Sequence, residues 1–114
     1  MKFSKAIELG LKRAEDAAHI EAEITKLLQE LNACLANFTN SDVLAFDFSS
    51  SSIQQLSPIE IDFNNFSFPM RISCGYNQSF RVESLQAFEK YIHICVRSAK
   101  FGDFIRHHMN KTKL

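Results

Sequence analysis

The side chains of this sequence that could do chemistry are three cysteines, four histidines and a scattered set of acids. Cys74 precedes Gly75 and is the best candidate for a nucleophile, with His93 as a conceivable general base. A cysteine inside a domain usually serves as a small apolar side chain, and Cys74 ends the inward face of a predicted strand. We therefore expect Cys74 to be structural.

Adjacent histidines, His107 and His108, raise the question of a metal site. Neighbouring side chains on a helix diverge by about 100°, so the two imidazoles cannot easily share one ion. The three cysteines are odd in number and lack Cys-x-x-Cys spacing, which favours reduced thiols in a cytoplasmic protein. Because phosphate-loop, nucleophile-elbow and metalloprotease motifs are also missing, we expect no cofactor, no metal and no enzymatic activity.

Acidic residues dominate the middle of the chain. Lys+Arg and Asp+Glu balance at 13 each, so the net charge favours neither a nucleic acid nor a membrane partner. Between residues 32 and 80, however, only Arg71 offsets the acids. The candidates for a partner-binding acidic face are Asp42, Asp47, Glu60 and Asp62. Such a face would complement a basic partner protein, although an ordinary solvated rim explains the same residues.

Basic residues gather towards the C-terminus, where only Asp103 opposes them. The candidates for nucleic-acid binding are Arg97, Lys100, Arg106, Lys111 and Lys113. Phenylalanines are interleaved with them, as in some phosphate-contacting segments. The simpler interpretation is that cations near a helix C-terminus complement the helix dipole.

A long amphipathic helix is predicted over residues 4–37. Its apolar positions recur at steps of three and four: Ile7, Leu11, Ala14 and Ala18, then Ile24, Leu28, Leu31, Leu35 and Phe38. Such a helix is about 50 Å long, whereas a domain of this size has a radius of gyration of about 13 Å. We expect its excess length to pack on another helix of the same chain, or else to form a homodimer with a second subunit.

Strands are predicted over residues 43–48, 59–63 and 66–74, with a polar loop over 49–58 and a possible fourth strand at 80–82. The second and third strands alternate apolar and polar residues around Asn64-Asn65, which predicts a hairpin with a two-residue turn. That turn sets three apolar pairs opposite each other: Phe63 with Phe66, Ile61 with Phe68, and Ile59 with Met70. The apolar side chains then share one face, which a helix must cover.

The last helix is predicted over residues 84–109, with Ser84 as its N-cap and a break or kink at Gly102. The order α-β-β-β-α predicts a two-layer α+β domain over residues 1–114, with helices covering one face of an antiparallel meander. The order resembles the double-stranded-RNA-binding domain in topology only. That family places lysines at the start of its last helix, and residues 82–88 contain none, so we do not assign the chain to it.

These observations favour a binding protein. We expect a cytoplasmic module without a membrane span that contacts another protein, in the manner of a bacterial or phage inhibitor, immunity or anti-defence factor. The alternative is a nucleic-acid-binding or regulatory protein that uses the basic C-terminal helix.

Overall fold

The computed structural model describes residues 2–39, 44–48, 53–56, 58–75 and 78–112. Its first element, α1, is a helix over Ser4–Thr39, close to the predicted 4–37. Within the described part of the chain, only its second half is covered by other elements, through Ile24, Leu28 and Leu35, which are buried. Residues 4–16 are exposed throughout, so the first half of α1 projects from the body.

Two antiparallel sheets follow α1. The smaller pairs β1 (Phe46–Asp47) with β2 (Gln54–Gln55), and the larger is a meander of β3 (Glu60–Asp62), β4 (Met70–Gly75) and β5 (Gln78–Val82). The predicted fourth strand is therefore present as β5. The predicted strand over 43–48 is reduced to β1 in a separate sheet, where it pairs with part of the segment predicted as a polar loop.

The predicted hairpin register is wrong. Ile61 pairs with Ile72, not with Phe68, because the connection between β3 and β4 is wider than two residues. It contains a 3₁₀ turn over Asn64–Phe66 whose three residues have positive φ of 48°, 55° and 60°. The Asn64 side chain stabilises the loop by donating to the carbonyls of Ser67 and Pro69 at 3.2 and 3.0 Å.

The inward face of the hairpin survives this change of register. The observed pairing differs from the predicted one by an even number of residues, and side chains on a strand alternate with a period of two. Ile59, Ile61, Met70 and Ile72 are accordingly buried, as the alternation predicts.

Two amide side chains connect elements that share no backbone ladder. Asn32 of α1 donates from Nδ2 to the carbonyl of Phe46 at 2.8 Å, and its Oδ1 accepts from the N–H groups of Ala45 and Phe46 at 2.9 and 3.2 Å. Gln55 of β2 donates to the carbonyl of Ile61 at 2.9 Å and accepts from its N–H at 3.0 Å. Gln55 thereby covers the outer edge of β3, and the small sheet is attached to both α1 and the larger sheet.

The C-terminal helical region consists of two helices, α2 (Leu85–Val96) and α3 (Ala99–Thr112). Ser84 caps α2 as predicted, because its side chain accepts from the N–H of Ala87 at 3.1 Å. The break lies at Arg97 and Ser98, however, and Gly102 is inside α3. The Ser98 hydroxyl accepts from the N–H of Phe101 at 3.2 Å and donates to the carbonyl of Cys95 at 2.6 Å, which fixes the junction.

All three helices contact the core side of the strands. α2 packs on β4 and β5, α3 packs on β4, and both contact α1. The core they enclose includes Phe46, Phe88 and Phe101, all nearly inaccessible to solvent. The chain is an α+β fold in helix–strand–helix order, as predicted. Within the described ranges, none of these helices has the length and apolar character needed to cross a membrane.

Candidate protein-binding site

Two of the predicted acidic residues share one surface. Glu60 and Asp62 are exposed on β3 on either side of the buried Ile61, and so lie on the outer face of the larger sheet. The register aligns Asp62 with Arg71 of β4, and Arg71 with Arg81 of β5. Both arginines are exposed. The outer face therefore carries basic side chains as well as Glu60 and Asp62.

Asp47 does not join them on that face. Asp47 lies half-buried on β1, in the smaller sheet, and Asp42 lies outside the described residues. A depression of about 380 Å³ does open between the sheets. It is lined by Gln55, Glu60, Ile61, Asp62, Arg71 and Ser73. The partner-binding role of the four acids stays a prediction.

Two of the predicted basic residues, Lys100 and Arg106, do not share one side of α3. Arg97 ends α2, while Lys100 and Arg106 are exposed on α3. Lys111 also belongs to α3, and Lys113 lies outside the described residues. At about 100° per residue, Arg106 points roughly 120° away from Lys100, so these two cations lie on different sides of α3.

The candidate nucleophile and base are in different environments. Cys74 is 2% exposed, and its Sγ donates to Oε1 of Gln78 at 3.2 Å. The His93 side chain is 68% exposed and lies 3.9 Å from Glu89, one turn earlier on α2. Burial, with contributions from the adjacent Cys74, raises the pKa of Cys95 to about 12. The surroundings of Cys95 therefore disfavour a reactive thiolate.

No cluster of three or more His, Cys, Asp or Glu side chains that could hold a metal ion occurs in the described part of the chain. The rings of His107 and His108 have centroids 5.5 Å apart, and their planes are inclined by 78° in an edge-to-face arrangement. His108 instead stacks edge-on against Phe104 at 4.7 Å.

An apolar depression lies between the three helices and was not predicted. This helical groove has a volume of about 510 Å³. It is lined by Leu27, Glu30, Leu31, Cys34, Leu35, Phe38, Glu89, Ile92, His93, Val96, Phe101 and Ile105. Its floor is aliphatic and aromatic, and its polar rim contains two carboxylates and one imidazole. It is the site whose shape and chemistry best fit a macromolecular ligand.

Phe38 shows that the helical groove is open to solvent and is not simply a buried contact between helices. The sequence pattern assigns Phe38 to the buried stripe of the first helix, but its side chain is 65% exposed at the groove. Leu27 and Leu31 are half-buried there. A signal was present in the sequence, because Leu27, Leu31 and Phe38 widen the apolar face of α1 beyond what one neighbouring helix covers.

Comparison with protein-family models, with curated proteins and with solved structures finds no match to this chain.

Proposed function

We propose that this chain is a non-enzymatic protein-binding module that receives an amphipathic helix of a partner protein in the helical groove. The observation that carries the proposal is the apolar lining of the groove between α1, α2 and α3, which includes the exposed Phe38 and the half-buried Leu27 and Leu31. Helix-in-groove recognition uses such a surface, with apolar anchors at positions i, i+3, i+4 and i+7 of the bound helix.

The charges on the rim support a partner of defined chemistry. Glu30 and Glu89 line the helical groove, and their carboxylates flank an apolar floor that includes Leu31 and Val96. A bound helix would complement this arrangement with one apolar face bordered by Lys or Arg. Buried apolar contact would supply affinity, and the acidic rim would orient the ligand and disfavour acidic helices.

Within this class, the expectation of an inhibitor or immunity-type factor belongs to the same proposal. If the chain is such an inhibitor, adding it to the captured partner protein should abolish the activity of that partner at a one-to-one ratio. A cytoplasmic location is also part of the proposal and is supported by three free cysteines, Cys34, Cys74 and Cys95.

The test is affinity capture from the native host with three baits, each run with and without nuclease. The baits are the natural chain, a groove variant with Phe38→Asp, and a sheet variant with both Glu60→Lys and Asp62→Lys. All three substituted side chains are exposed, so the variants should fold normally. We expect one stoichiometric protein that survives nuclease and is lost only with Phe38→Asp.

The other outcomes separate the alternatives. Loss of the captured protein with the sheet variant alone would move the contact to the acidic residues Glu60 and Asp62. Recovery that collapses with nuclease would favour nucleic-acid binding by Arg97, Lys100 and Arg106, with steep weakening by salt. Failure of the natural chain to retain any protein would contradict the binding-module proposal.

A further inference from the structure

The projecting first half of α1 has a second apolar surface, distinct from the helical groove. Phe3, Ile7 and Leu11 are 68%, 61% and 62% exposed, and they follow one another at steps of four. Helices in proteins gain most of their stability from packing an amphipathic face. This stripe therefore presents large apolar side chains for which the rest of the described chain supplies no cover.

The same face continues along α1 with small or uncharged residues. Beyond Leu11, steps of three and four pass through Ala14, Ala18, Ala22, Thr25 and Gln29, and all of these are exposed except the half-buried Thr25. Large side chains thus occupy one end of the stripe and small ones occupy the other. A helix with this gradient packs best on a copy of itself that runs in the opposite direction, because each large residue then meets a small one.

The balance of basic and acidic side chains also changes along α1. Residues 2–13 contain four basic side chains and one acidic side chain, whereas residues 14–30 contain five acidic and one basic. Antiparallel pairing sets the basic segment of each chain beside the acidic segment of the other, and parallel pairing would set like charges together.

The N-terminus of α1 gives an independent reason for an acidic neighbour. The first turn contains Lys5 and no acidic residue, although the N-terminus of a helix carries the positive end of its dipole. Lys2 adds a further positive charge just before it. A neighbouring helix that brings carboxylates to this end would compensate both.

We propose that the chain forms a two-fold homodimer in which the projecting halves of α1 pair antiparallel. With the two-fold axis beside Ala14, Leu11 lies against the partner's Ala18 and Ile7 lies against the partner's Ala22. The pairing extends over residues 3–25, which is about 34 Å of helix. It is isologous, as a two-fold interface requires, because each contact occurs twice.

This interface leaves the helical groove free. Around the helix axis, the stripe is separated by roughly 150° from the groove residues Leu27 and Leu31. The dimer proposal therefore does not depend on the proposed function. A dimer would present two grooves, and failure of either proposal leaves the other intact.

The first test is the mass of the natural chain in solution by sedimentation equilibrium, compared with a variant carrying Ile7→Asp and Leu11→Asp. Both side chains are exposed and should be dispensable for folding of the body, which circular dichroism checks. We expect twice the chain mass for the natural protein and at least a hundredfold weaker association for the variant. Phe38→Asp, which is as exposed but lies at the groove, should remain dimeric.

The second test determines orientation by disulfide formation in a Cys34→Ser background, because Cys34 is the exposed native thiol. Chains with Leu11→Cys and chains with Ala18→Cys are oxidised separately and as a mixture. The antiparallel arrangement predicts interchain disulfides in the mixture, whereas a parallel arrangement predicts them within each variant alone. A monomeric natural chain, or a dimer that survives Ile7→Asp and Leu11→Asp, would overturn the proposal.

Discussion

At the scale of single residues, Asn32 shows how a polar side chain can organise an apolar core. It lies between Leu28 and Leu35 on the buried face of α1 and is 8% exposed. Its amide satisfies two N–H groups and one carbonyl of the β1 segment, which α1 would otherwise bury without partners. A buried amide of this kind stabilises one position of the strand against the helix, since any slip would leave these groups unpaired.

We expect Asn32→Leu to lower the free energy of unfolding by about 3 kcal/mol or more, because it leaves three buried backbone groups unpaired. Leucine has a similar volume, so loss of packing does not explain the effect. Asn37→Leu is the matched control on an exposed position of α1 and should change stability by no more than about 0.5 kcal/mol. Urea unfolding measures both. Equal effects at the two positions would contradict the bridging role of Asn32.

At the scale of elements, the junction between α2 and α3 is controlled by a cap and not by a glycine. The Ser98 side chain accepts from the N–H of Phe101, three residues later, which is the N-capping arrangement. Gly102 lies within α3, and a Cβ added there would meet no other atom within 4 Å. The helix therefore has no steric need for glycine at this position.

Two substitutions with opposite expected signs test this description. Gly102→Ala should stabilise the chain by about 0.5–1 kcal/mol, because alanine has the higher helix propensity. Ser98→Ala should destabilise it by about 1 kcal/mol through loss of the cap. Thermal unfolding of the two variants beside the natural chain gives both values. If Gly102→Ala instead destabilises the chain, glycine is needed at position 102, as the predicted break at Gly102 requires.

At the scale of the whole molecule, two buried cysteines lie where the larger sheet packs against α2. Cys74 of β4 and Cys95 of α2 are 2% and 0% exposed and interact through their side chains. Burial raises the pKa of Cys95 from its ordinary 9.0 to about 12. Between these two pKa values, the thiol of Cys95 stays protonated in the native state but loses its proton in the unfolded chain.

Stability is therefore linked to pH in the alkaline range. Below pH 9.0 the thiol of Cys95 is protonated in both states and contributes no pH dependence. As the pH rises from 9.0 towards about 12, the unfolded state alone loses the proton, so the free energy of unfolding should fall.

The free energy of unfolding of the Cys95→Ala variant should fall less steeply with pH over this window than that of the natural chain. The other titrating groups are common to both proteins. Denaturant unfolding at several pH values, with the variant compared point by point, isolates the slope due to Cys95.

A thiol reagent at neutral pH should modify Cys34 rapidly and the two core cysteines only on unfolding. Parallel pH profiles, or rapid labelling of all three cysteines, would contradict the described core.

Part of the candidate site could be predicted from the sequence and part could not. Alternation along residues 59–74 correctly gave the buried side chains of the hairpin, because the period of two does not depend on turn length. The basic side chains beside Glu60 and Asp62 could not be placed from the sequence. Arg71 lies on β4 and Arg81 on β5. Only the registers of β3 with β4 and of β4 with β5 set Arg71 beside Asp62 and Arg81 beside Arg71.

The fold class, the first helix and the cap at Ser84 could be predicted from the sequence, because propensity, hydrophobic period and capping are local properties. Three features are visible only in the folded chain: which half of α1 is covered, how Asn32 and Gln55 connect the small sheet, and where three helices leave an apolar groove. Those features depend on contacts between residues far apart in the chain. Their geometry follows from how loops such as Asn64–Phe66 direct the elements, and a local pattern does not contain that information.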